Sequence, residues 1–126
     1  MARILVVEDN PANMTLATFI LESAGHVVLS STDAESGVSL ARAELPDLVL
    51  MDVQLPGMDG LQATALLKGD DTTRSIPVIA LTALAMKGDE ERIRAAGCDG
   101  YIAKPMRYKE LLTTVDTQLA RLAAKL

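Results

Sequence analysis

Asp52 ends a run of four apolar residues, Leu48 to Met51, and Gln54, Pro56 and Gly57 break the pattern directly after it. Such a run reads as a strand buried on both faces of a sheet, where an ionised carboxylate is costly unless paired. Asp52 is therefore expected where a buried strand runs out into a loop. Four more short apolar runs, at 4–7, 27–29, 78–81 and 101–103, also give way to polar residues. Glu8 and Asp9 follow the first, Ser30 and Ser31 the second, Thr82 and Ala83 the fourth, and Lys104 and Pro105 the fifth. In an open parallel sheet, ligands bind outside the C-terminal ends of the strands, where strand order reverses. Three acids, a hydroxyl and a lysine (Glu8, Asp9, Asp52, Thr82 and Lys104) would then converge at one edge.

That set suits transfer of a phosphoryl group to a carboxylate. Clustered carboxylates at an accessible rim attract Mg2+, which takes oxygen ligands and keeps waters. The ion offsets repulsion between an anionic donor and an acidic pocket. A carboxylate can act as the nucleophile and form an acyl phosphate. The new phosphoryl oxygens then need donors, for which a lysine supplies a point charge and a hydroxyl one hydrogen bond.

The elements that must position these groups alternate along the chain. Each apolar run is followed by a longer stretch with helical spacing. The stretch after Thr32 opens with Thr32-Asp33-Ala34-Glu35, which fits a capping box, and continues with apolar positions at Ala34, Val38, Ala41 and Leu45. The last stretch carries a stripe of Tyr108, Leu111, Leu112, Val115, Leu119 and Leu122. Residues 11–24 are more uniformly apolar. Asp59 is placed to cap a helix from Gly60 to about Lys68, and Gly25 and Gly97 read as helix stops. Five strands alternating with five helices imply an α/β fold with a parallel sheet and helices on both faces.

The 126 residues suit one domain spanning 1–126, with no repeat, linker or output domain. No apolar run approaches the ~20 residues of a membrane span, and the N-terminus has no secretory signal. A single cysteine, Cys98, fits a reducing, cytoplasmic setting. A net charge of −5 without a basic stripe argues against direct nucleic-acid binding, and the absence of Trp removes a stacking platform. His26 opens the second strand and reads as exposed, without the helical setting of a phosphodonor histidine.

Glu8-Asp9, Asp52, Thr82-Ala83 and Lys104-Pro105, in this order and spacing, resemble the receiver domain of bacterial two-component response regulators. Segment 85–105, AMKGDEERIRAAGCDGYIAKP, resembles especially the DivK-type single-domain cell-division regulators. The resemblance implies a flavodoxin-like fold with strand order 2-1-3-4-5. It implies Asp52 as phosphoacceptor, supplied by a histidine kinase or a histidine phosphotransfer protein. Glu8, Asp9, Asp52 and the Gln54 backbone carbonyl would hold Mg2+, with Mn2+ as a substitute. Thr82 and Lys104 would bind the phosphoryl group, and Thr82 and Tyr101 would form the switch. A cis peptide is implied between Lys104 and Pro105. The signal would leave through the face of the fourth helix, fifth strand and fifth helix, to a downstream protein, from a monomer or weak dimer. Such a protein is a phosphorylation-switched signalling protein that assists its own phosphotransfer and dephosphorylation. Gln54 and Leu84, two beyond Asp52 and two beyond Thr82, would flank the attacking water; apolar Leu84 implies slow self-dephosphorylation.

Other classes compete with this reading. The chain also fits a receiver segment of a hybrid histidine kinase. An aspartate-nucleophile phosphatase would carry a second acid two residues after Asp52, where Gln54 stands. A flavin or nucleotide module would need a glycine- or hydroxyl-rich first turn, where this chain has Glu8-Asp9-Asn10.

Overall fold

A computed structural model describes residues 2–83 and 87–124. One sheet holds all five strands, every pair parallel, in the order β2-β1-β3-β4-β5. The strands are β1 (Arg3–Val7), β2 (Val27–Ser31), β3 (Leu48–Asp52), β4 (Val78–Thr82) and β5 (Gly100–Ala103). The helices are α1 (Pro11–Ser23), α2 (Ala34–Glu44), α3 (Gly60–Lys68), α4 (Lys87–Ala95) and α5 (Tyr108–Ala124). From β1 the chain first moves outward to β2, then returns past β1 to β3, so the order reverses between β1 and β3. Among the described residues no helix is long and apolar enough to cross a membrane.

The period-two pattern of the strands divides the core into two layers. Ile4, Val6, Leu48, Leu50, Ile79, Leu81 and Ile102 face α1 and α5, where Ile20, Leu21, Leu111 and Val115 meet them. Leu5, Val7, Val49, Met51 and Val78 face the opposite way, onto Val38 and Ala41 of α2 and Ala63 and Leu67 of α3. Every residue of β3 and β4 is buried, which is why these two strands read as continuous apolar runs. β2 lies at the edge and is only partly covered.

Asp52 and Thr82 are the last residues of their strands rather than the first of the loops, which explains their burial. Several local expectations are corrected. The box expected at Thr32 and Glu35 does not cap α2; Asp33 does, accepting from Ser36 N–H at 2.7 Å and Ser36 Oγ at 3.0 Å. Leu45 does not continue the buried face of α2. It sits beyond the helix end at φ 47, with half its surface exposed. Tyr108 is likewise half-exposed, whereas Gln118, which the apolar stripe passed over, is buried with its amide on the Asp99 carbonyl at 3.1 Å. His26 is partly buried, its Nδ1 accepting from the Ala2 N–H at 3.2 Å. Gly25 and Gly97 do adopt positive φ at helix ends. Asp59 caps α3 in a full capping box with Gln62.

Candidate functional site

The reversal between β1 and β3 brings their C-terminal ends side by side. Val7 is in register with Met51, so the next residue of each strand, Glu8 and Asp52, is a neighbour of the other. The Glu8 N–H continues the ladder onto Ser31 O at 3.0 Å. On the other side Thr82 is in register with Ala103, and the Lys104 N–H donates to Thr82 O at 2.8 Å. The peptide between Lys104 and Pro105 is cis, as expected. Four strands thus deliver the acids, Thr82 and the lysine to one rim. Glu8, Asp52 and Thr82 are 1%, 2% and 1% exposed, whereas Asp9 is open to solvent.

Lys104 Nζ lies 2.9 Å from Glu8 Oε1 and 2.9 Å from Asp52 Oδ2, so one ammonium bridges both buried carboxylates. Asp52 Oδ1 accepts from the Gln54 N–H at 2.9 Å. Glu8 Oε2 accepts from the Asn10 N–H at 3.2 Å, and Asn10 in turn caps α1 through its own side chain on the Asn13 N–H. Burial raises the Glu8 carboxyl above its ordinary value, and the neighbouring Asp52 carboxylate pushes the same way. Lys104 and the Asn10 N–H oppose that rise without cancelling it. For Lys104 burial works against the charge, but its ion pairs with Glu8 and Asp52 prevail and raise its pKa.

Carboxylate oxygens of Glu8, Asp9 and Asp52 all lie within 4.8 Å of one another. Glu8 Oε1 is buried and, although the ammonium stands beside it, receives no aligned hydrogen bond. A buried oxygen with spare acceptor capacity, in an all-oxygen set with one solvent-facing member, fits a hard divalent cation such as Mg2+.

The sequence marks Gly60 only as a helix start, whereas the structure places it hard against the end of β3. A Cβ there would stand 1.9 Å from Asp52 O and 3.0 Å from Met51 Cγ. Its N–H donates to Val53 O at 3.1 Å, which packs the start of α3 directly onto the end of β3. The signal was an Asp-Gly pair, read only as a cap. Gln54 is exposed beside Asp52. Tyr101 is partly buried on β5, and its hydroxyl donates to the Glu90 carboxylate on α4, a contact no sequence pattern announced. Leu84 and part of segment 85–105 lie outside the described residues. A groove of about 1010 Å3 beside α2, lined by Thr32, Ser36, Ser39 and Leu40 among others, gathers no set of like charges.

Residues 4–116 match the response regulator receiver domain family. The chain is 47% identical to the polar-differentiation response regulator DivK of Brucella anthropi over 116 residues, 92% of this chain and 94% of that protein. Among solved structures, it is similar to the receiver domain of a sensor histidine kinase from Pseudomonas aeruginosa, which holds magnesium in its active-site cleft. That match has TM-score 0.88 and 38% identity, over 94% of this chain and 98% of the other. A CheY-like response regulator receiver domain protein from Methanospirillum hungatei superposes with TM-score 0.92 at 27% identity, over 100% of this chain and 99% of the other.

Proposed function

The chain belongs to the response regulator receiver domain family, and from that premise we propose that it accepts a phosphoryl group on Asp52 from a histidine kinase or a histidine phosphotransfer protein. One observation carries the reading: buried Glu8 and Asp52 share the Lys104 ammonium at 2.9 Å each, with Asp9 open to solvent beside them. The bond formed is from an Asp52 carboxylate oxygen to phosphorus. The bond broken is phosphorus to the donor imidazole nitrogen, which keeps the electron pair. Asp52 is held for this by the Gln54 N–H on one oxygen and by Lys104 on the other. Lys104 is already within the site and can turn its ammonium from the carboxylates to the phosphoryl oxygens. Thr82, at the end of β4, supplies a hydroxyl to the same group.

Glu8, Asp9, Asp52 and the Gln54 carbonyl would hold Mg2+, which when bound offsets the repulsion between the donor phosphoryl and this acidic rim. The phosphorylated state would be read by a downstream protein on the face of α4, β5 and α5. A second reading, a receiver segment of a hybrid kinase, has the likeness to the Pseudomonas domain in its favour. The 47% identity to DivK favours the DivK-like single-domain regulator.

Acetyl phosphate with Mg2+ should add one phosphoryl group to the wild-type chain, seen by intact mass, and none to Asp52→Asn. Equal labelling of both would refute the assignment.

A further inference from the structure

Tyr101 and Thr82 lie on the same face of adjacent strands. Ile102 and Leu81 point into the layer beneath α1 and α5, so their neighbours Tyr101 and Thr82 point the other way. Tyr101 is in register with Ala80, and Thr82 with Ala103. Only small side chains therefore flank the path between ring and hydroxyl on that face. Yet the ring does not rest there free. Its hydroxyl donates to Glu90, in the first turn of α4, and the ring walls a cleft of about 330 Å3 with Ile93, Arg94 and Thr114.

We propose that Glu90 is a positioning residue of the switch, whose carboxylate holds Tyr101 against α4 until phosphorylation draws the ring toward Thr82. The inference rests on Asp52 being the phosphoacceptor. Movement of the ring then requires breaking a hydrogen bond to a charged acceptor, one of the stronger kinds. The bond stabilises the unphosphorylated arrangement, so removing it shifts the population toward the phosphorylated-like one and tightens any ligand selective for that state. Because the ring walls the α4–α5 cleft, its release also reshapes the surface a downstream protein would meet.

The test is a titration of the full chain with beryllofluoride and Mg2+, followed by amide NMR. Glu90→Ala should bind beryllofluoride at least about threefold more tightly than wild type, given the strength of charge-assisted hydrogen bonds. Glu90→Gln keeps an acceptor without the charge and should fall between the two. Glu91→Gln removes the same charge one residue along α4 and should match wild type, which separates the contact from the helix dipole. Adding Glu90→Ala to Tyr101→Phe should change nothing further, because the hydroxyl is already gone. The proposal is overturned if Glu90→Ala titrates like wild type, or if its effect persists undiminished in the Tyr101→Phe background. Should wild type bind no beryllofluoride, the phosphoacceptor reading fails. The contact is then judged from the ligand-free protein: the Tyr101 ring carbon signals should move in Glu90→Ala and stay in Glu91→Gln. Unmoved ring signals in Glu90→Ala overturn it.

Discussion

Asp52 is held from behind as well as from the front. Gly60 lets the first turn of α3 touch the Asp52 carbonyl, and a methyl group there would meet backbone, which cannot move aside as a flexible side chain can. Gly60→Ala is expected to cost about 1–3 kcal/mol, as overpacking does, and to slow acetyl-phosphate labelling although every polar group of the site remains. Gly88→Ala is the comparison, because nothing stands within 4 Å of a Cβ at that helix position. It should match or exceed wild type in thermal stability, Ala being the better helix former. Equal melting of both variants would contradict the close contact. Asp70 offers a separate test at this scale. The Thr72 N–H and hydroxyl, then Arg42, lower its pKa below the ordinary 3.8. Its contribution to stability is complete above the unfolded value and is lost as pH falls through the lower folded one. Carboxyl-carbon NMR should give Asp70 a midpoint under 3.8 in wild type and a higher one in Thr72→Val.

At the scale of the elements, capping decides where α2 starts. Asp33 accepts from Ser36 twice, and Thr32 takes no part in the cap. Asp33→Ala should lower the urea midpoint by the equivalent of about 1 kcal/mol, whereas Thr32→Ala should leave it nearly unchanged. The reverse order would restore the Thr32–Glu35 box. That box was the natural reading of Thr-Asp-Ala-Glu, since both Thr32 and Asp33 are good caps and only the path of the chain chooses between them. The strands were more legible. β3 and β4 are covered on both faces, so their composition alone marks them, and the groups that follow or end each strand follow from the topology. Legibility failed wherever a contact joins residues far apart in sequence without a local pattern. Glu90 to Tyr101 and Gln118 to Asp99 are of that kind. It also failed at Leu45, where an apolar residue at helical spacing falls just past the helix end, in the left-handed region.

For the whole molecule, the expected response to phosphorylation is a change that travels from the rim to one side. Amide shifts on adding beryllofluoride and Mg2+ should extend from Asp52 and Gly60 into described residues of α4, β5 and the first turns of α5. Shifts confined to the rim would count against a signal leaving by that face. The opposite end of the sheet, where the Arg3 N–H binds Asp47 Oδ2 at 2.8 Å and the Asp47 N–H binds Arg3 O at 2.8 Å, should stay unchanged. The ammonium bridge has a further consequence for the chain during synthesis. Lys104 and Glu8 are 96 positions apart (104 − 8), and Asp52 lies between them. While a nascent chain emerges, its two buried acids have no counter-charge until the fifth strand has been made and docked. If Asp52 is the phosphoacceptor proposed above, a chain cut before the fifth strand would hold its carboxylates with no lysine between them and would be a poor acceptor. Competence to receive the signal would then wait on docking of the fifth strand beside the fourth.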